Sequence, residues 1–208
     1  MAFSRIWLAG VGSVLLCGAA GWAQKDERPR ITVFVNNSVG IDQAVLRRAE
    51  NEAAGLFRRG GIEVHWRNCA ETSDCRRPPC SNEFVLHIVP NGTTGSDWVF
   101  GEAFLGRDGR GRYADVFFNR LRDAQGNLSI AQLLGAVCAH ELGHLLLGSH
   151  SHSPVGIMQP VWRKEALHRI AMGNLTFTPD QQRMMKDRLP NESLAVTSIA
   201  GPGRLGLR

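Results

Sequence analysis

The sequence predicts an α/β (α+β) domain: a mixed, twisted sheet of about five strands with an antiparallel edge strand, packed on two long helices, and a small helical part at the C-terminal end. Three observations predict it. Short β-branched and aromatic runs recur between residues 30 and 118. The first two flank an amphipathic helical run, and strand, helix, strand in that order gives a right-handed crossover and a parallel pair. The last two are separated by a glycine-containing turn short enough for a hairpin, so one of them runs antiparallel to the rest.

Residues 1–23 stand outside this domain. Arg5 supplies a short positive stretch, Ile6 to Ala20 is mostly apolar and small, and Gly21-Trp22-Ala23 is a small-x-small cleavage site. The pattern is that of a secretory signal peptide cut after Ala23, and it implies a secreted or periplasmic protein. A membrane span needs about 20 apolar residues, and this run is short and glycine-broken, so no stable membrane anchor is expected. A lipid on Cys17 is disfavoured by the large Leu16 in front of it. Residues 24–190 then read as a single domain with enough chain to bury a core. The polar, glycine-containing stretch 191–208 has no period and reads as a flexible tail.

The chain carries a formal charge of +5, which becomes +4 without Arg5. Its basic residues are scattered, apart from Arg-rich spots at 47–48, 58–59, 76–77 and 107–112, and no aromatic residues interleave with them. Solvated faces account for that pattern, and nucleic acid is not expected as a partner. Nothing in the sequence sets an oligomeric state. Past the cleavage site stand Cys69, Cys75, Cys80 and Cys138. Export permits disulfides, and four cysteines allow three full pairings. The expectation is Cys69 with Cys80, closing the polar loop 67–82 at its base, and Cys138 as a buried free thiol. A zinc knuckle in the loop lacks a second pair of ligands.

In order, Arg30 to Asn36 is a buried strand by its β-branched and aromatic content. Asp42 opens a helical run to about Arg59, where Val45, Leu46, Ala49, Ala53, Leu56 and Phe57 recur at three-to-four spacing and Gly60-Gly61 ends it. Ile62 to Trp66 alternates as a second strand and Phe84 to Val89 is a third. Trp98 to Leu105 is a fourth and Arg112 to Phe118 a fifth, with the turn at 106–111 between them. His65 and His87 fall on strands, where a histidine is more often a half-buried, hydrogen-bonded residue than a ligand. Ser129 is the N-cap of a long helix that runs to about Leu147 and stops at Gly148. Val161 to Met172 reads as a short helix. Thr178-Pro179-Asp180-Gln181 is a capping box with proline at the first helical position, opening a last helix to about Leu189.

The long helix carries the chemistry. His140-Glu141-Leu142-Gly143-His144 is His-Glu-x-x-His. Four-residue spacing on a helix sends both imidazoles from one face, where they can grip one metal ion. Glu141, one step round, points at a water on that metal. Leu133, Val137, His140 and His144 lie on one stripe, beside Leu134, Cys138, Glu141 and Leu145. The histidines therefore continue an apolar face, and an unpaired polar group buried there costs on the order of 1–3 kcal/mol. A zinc ion satisfies both.

With Gly148, His150, His152 and Met158 the segment resembles the zinc signature of the metzincin clan of metallopeptidases: His-Glu-x-x-His, a glycine turn, a third histidine and a Met-turn. The resemblance is to small secreted bacterial-type members. It covers residues 140–158 in motif and about 31–160 in the order of elements. The clan's third ligand stands ten residues after the first, which is His150; its glycine stands seven after, where this chain has Leu147 and brings Gly148 one residue late. That late turn makes His152 the alternative third ligand. Met158 corresponds to the methionine that forms an apolar floor under the metal. No tyrosine follows it, and the stretch from Gln24 to Arg30 is too short for an inhibitory propeptide.

The resemblance implies a secreted zinc-dependent endopeptidase that hydrolyses peptide bonds of peptide or protein substrates through a metal-activated water, with Glu141 as general base. A peptide would lie extended along the edge strand around 98–105. Two other readings stand beside it. In one, Glu165 on the following helix is the third ligand, as in glutamate-zincins. In the other, the chain is a non-catalytic secreted zinc-binding or interaction protein on the same scaffold.

Overall fold

The structure is a computed structural model that describes residues 28–92 and 98–190. The expected signal peptide and the expected tail, 191–208, lie outside the described residues.

Five strands form one mixed sheet: β1 Arg30–Asn37, β2 Glu63–Asn68, β3 Glu83–Val89, β4 Gly101–Phe104 and β5 Tyr113–Phe117, in the order β2-β1-β3-β5-β4. The β1–β2, β1–β3 and β3–β5 pairs are parallel, and among the described strands β4 alone runs antiparallel, beside β5 at one sheet edge. Helix α1 (Gln43–Arg59) is the crossover from β1 to β2. Asp42 caps its first turn, its carboxylate accepting from the backbone N–H groups of Ala44 and Val45. The mixed sheet with its antiparallel edge is the architecture expected from the run order.

Helix α3 (Ile130–Leu147) starts at a capping box in which Ser129 accepts from the Gln132 N–H, and it ends at Gly148 in the left-handed region at φ 64°. Every residue in it except Ile130 and Gln132 is buried. The helix is long and apolar enough to cross a membrane by length and composition, but here its apolar groups pack against α1, β4, β5 and the C-terminal helices. It thus has no wet face at all. Its interior glycine Gly143 would ordinarily cost about 1 kcal/mol relative to alanine. The site demands it: a Cβ there would stand 2.7 Å from Met158 Sδ and 2.8 Å from Phe177.

Four elements depart from the expectation. Strand β4 begins at Gly101, not Trp98; the carbonyl of Phe100 still accepts from Phe117, but Val99 turns its carbonyl to Arg120. Helix α2 (Phe118–Ala124) follows β5 directly, where the aromatic run read as continued strand. Helix α4 (Lys164–Ala171) starts later than expected because Val161 and Trp162 turn to a cavity wall. The loop after β2 is closed by Cys69–Cys75, not Cys69–Cys80. A short 3₁₀ turn at Asp74–Arg76 folds Cys75 back toward the strand end, with Asp74 paired to Arg67 at 3.3 Å, and leaves Cys80 an exposed thiol. Cys138 is a buried free thiol, raised in pKa chiefly by that burial. Helix α5 (Pro179–Arg188) opens at the Thr178–Gln181 capping box.

Candidate metal centre

His140 and His144 are buried side chains that α3 presents one turn apart. Each ring is anchored from behind by a backbone carbonyl. His140 Nδ1 lies 2.8 Å from the carbonyl of Ile157, and His144 Nδ1 lies 2.7 Å from that of Ser149. A carbonyl only accepts, so both Nδ1 atoms carry the proton and both Nε2 atoms present bare lone pairs. Those two Nε2 atoms stand 3.1 Å apart. Neither can then donate to the other, and two lone pairs facing each other at that distance repel. A cation between them removes the repulsion. Two nitrogens on one tetrahedral zinc, each about 2.0–2.1 Å from it, are separated by about 3.3 Å, so the donor set fits such an ion.

His152 completes the group. Potential ligand atoms of His140, His144 and His152 all lie within 4.8 Å of one another. The His152 ring centroid stands 5.3 Å from that of His140 and 4.9 Å from that of His144. His150, the candidate that spacing favours, lines the same cavity but stays outside this group, its ring 6.2 Å from that of His144. The reason is local. Helix α3 continues through Leu147 and turns at Gly148, and the chain then needs four residues to return to the metal side. All three rings are held away from the imidazolium form. Burial pushes His140 down to about 3, and it also lowers His144 and His152. Neutral imidazoles are what metal ligation requires.

Glu141 lies one step round the helix, against the edge strand. It is buried. Burial, with a smaller contribution from Glu102, raises its pKa to about 8. Gly101 of β4 makes room for it: a Cβ at that position would lie 2.7 Å from Glu141 Oε1 and 2.7 Å from the Asp115 carbonyl. The carboxylate and the three histidines open on one cavity of about 330 Å³. Its floor is apolar, with Leu133, Val137 and Leu167, and its rim carries the exposed Trp98 and Val161.

Met158 is fully buried beneath α3 at Gly143, and the Ile157 carbonyl next to it is the one that anchors His140. Glu165 is exposed in the first turn of α4 and belongs neither to the histidine group nor to the cavity lining. His65 lies exposed on β2, and His87 pairs with Asp115 at 3.2 Å on β3. Neither joins the site. Sequence reasoning missed Trp162, whose indole N–H donates to the Ile157 carbonyl at 3.1 Å and whose ring meets His140 edge-on. Its only signal was a tryptophan four residues past Met158.

No protein-family model and no curated protein matches the chain. Among solved structures it is similar to an archaemetzincin from Methanopyrus kandleri, at 17% identity and a TM-score of 0.48, over 79% of this chain and 97% of that one. It is also similar to a zinc-dependent peptidase from Methanocorpusculum labreanum (strain Z), at 17% identity and a TM-score of 0.49, over 74% of this chain and 99% of that one. Both likenesses are distant, and the chemistry below rests on this chain's own residues.

Proposed function

We propose that the chain is an exported zinc-dependent endopeptidase, with His140, His144 and His152 as ligands and Glu141 as general base. The observation that carries this is the anchored histidine pair: two Nδ1–H groups committed to backbone carbonyls, and two bare Nε2 atoms 3.1 Å apart. Three imidazoles suit zinc, and a tetrahedral ion held by three of them keeps one position open. Bound zinc would supply Lewis acidity and bring the pKa of water to about 7. Burial alone keeps the Glu141 carboxyl largely protonated, and the charge of a bound cation in the same cavity would return it to the carboxylate form, in which it takes up the proton and passes it to the leaving amine.

Strand β4 supplies the substrate's seat. It is an edge of the sheet, so one row of its backbone groups is unpaired by any described strand, and an extended peptide can add there as a further strand. A side chain of that peptide would enter the apolar cavity, which favours a bulky apolar residue next to the scissile bond. Met158 forms the apolar floor beneath the metal ligands, the role of a Met-turn. Residues 1–23 act as the signal peptide, 24–190 as the catalytic domain and 191–208 as its tail, with action in a secreted or periplasmic setting.

The test is hydrolysis of an unfolded protein such as casein by the zinc-loaded chain and by Glu141→Gln. General-base loss is expected to lower the rate by about 10²–10⁴-fold with zinc content unchanged. Wild-type protein that holds zinc but cleaves none of several unfolded substrates would leave a zinc-binding protein without turnover.

A further inference from the structure

We infer that Trp162 is a positioning residue of the metal centre, its indole N–H fixing the carbonyl that orients His140; this rests on the metal reading above. The Ile157 carbonyl accepts two donors at once, His140 Nδ1 at 2.8 Å and Trp162 Nε1 at 3.1 Å. A carbonyl oxygen has two lone pairs, so the two bonds exhaust it and set its direction. Ile157 itself is fully buried, and its N–H is bonded to the Thr176 carbonyl at 2.9 Å. Ile157 is therefore held on both sides, its N–H in the peptide unit before it by the Thr176 carbonyl and its carbonyl in the unit after it by the indole.

The same indole reaches the ligand directly. Its ring centroid lies 5.7 Å from that of His140, with the planes at 81°, an edge-on contact of the favoured aromatic kind. One residue thus constrains the imidazole twice, through the carbonyl behind Nδ1 and through its flank. Groups of this outer layer fix the tautomer and aim of a metal-bound histidine, and their loss costs about 10–100-fold in metal affinity. A packing role alone predicts something different. Trp162 also walls the cavity, and a wall needs the shape of the ring but not its N–H.

The distinction sets the experiment. Trp162→3-benzothienylalanine keeps the bicyclic shape and deletes only the N–H; Trp162→Phe shortens the ring as well. Zinc affinity is measured by competition with a chromophoric chelator, alongside the visible spectrum of the Co²⁺-loaded protein and the melting temperature of the metal-free protein. The isostere is expected to weaken zinc binding about tenfold and to alter the Co²⁺ absorption, with the metal-free melting temperature unchanged. Trp162→Phe is expected to weaken it at least as much. Zinc affinity within twofold of wild type and an unaltered Co²⁺ spectrum in the isostere would overturn the inference and leave Trp162 a cavity wall. Wild-type protein that binds no zinc would instead sink the metal reading itself, and the inference with it.

Discussion

His150 and His152 are two residues apart in one short loop, and only His152 is gathered with the helix pair. The consequence is a sharp difference between two similar substitutions. His152→Ala is expected to emerge from dialysis with little zinc, because two ligands alone hold the ion weakly, whereas His150→Ala keeps about one equivalent. Metal analysis of the two purified variants checks this; equal zinc in both, or loss in His150→Ala alone, reverses the assignment. Two histidines four apart, a glutamate between them and a methionine beyond were legible from spacing. Trp162 was not, and neither was which of His150 and His152 the loop gathers with the helix pair. That choice depends on where the helix ends and how the next four residues turn, and Gly148 at φ 64° fixes a turn whose exit direction has no sequence periodicity.

Helix α3 carries the site because every side of it is buried, and its glycines mark where neighbours come closest. Gly143→Ala puts a methyl group 2.7 Å from Met158 Sδ and 2.8 Å from the Phe177 ring. Overpacking of this kind costs about 1–3 kcal/mol, and since Met158 neighbours the carbonyl that anchors His140, zinc affinity should fall together with stability. Chemical denaturation and a chelator titration measure both; an unchanged denaturation midpoint would show that the methionine yields freely. Elements with strong end signals were readable in advance: Asp42, Ser129 and Thr178 each cap the helix expected of them. Helix α2 was not, because Phe118 extends an aromatic strand run and seven residues are too few to show a helical period. The Cys69–Cys75 bridge was hidden for a similar reason. Three cysteines within one loop are chemically equivalent in sequence, and only the turn at Asp74–Arg76 selects between them.

At the scale of the molecule, the far end of the cysteine loop is tied to the sheet by a charged clamp. Arg77 grips the Glu83 carboxylate at 2.6 and 2.7 Å, the Cys80 N–H adds a bond at 2.7 Å, and Arg112 reaches the Cys80 carbonyl. The Arg77 hydrogen bonds, above all, hold the Glu83 carboxyl at about 2, below its ordinary 4.5. A carboxylate depressed in the folded state contributes stability that is complete above about 4.5 and is lost as the pH falls toward 2. Glu83→Gln should therefore lower stability at neutral pH and converge on wild type in acid. Denaturation midpoints from pH 7 to pH 2 test it, and a difference that stays constant across that range would contradict the clamp.

The central claim is that one ion sits among His140, His144 and His152, and anomalous diffraction at the zinc edge from crystals of the zinc-loaded protein tests it most directly. A single peak bonded to Nε2 of His140 and Nε2 of His144, with the His152 ring as the third protein ligand, is the predicted result. A peak that His150 closes in place of His152, or no peak beside the α3 histidines, would contradict it.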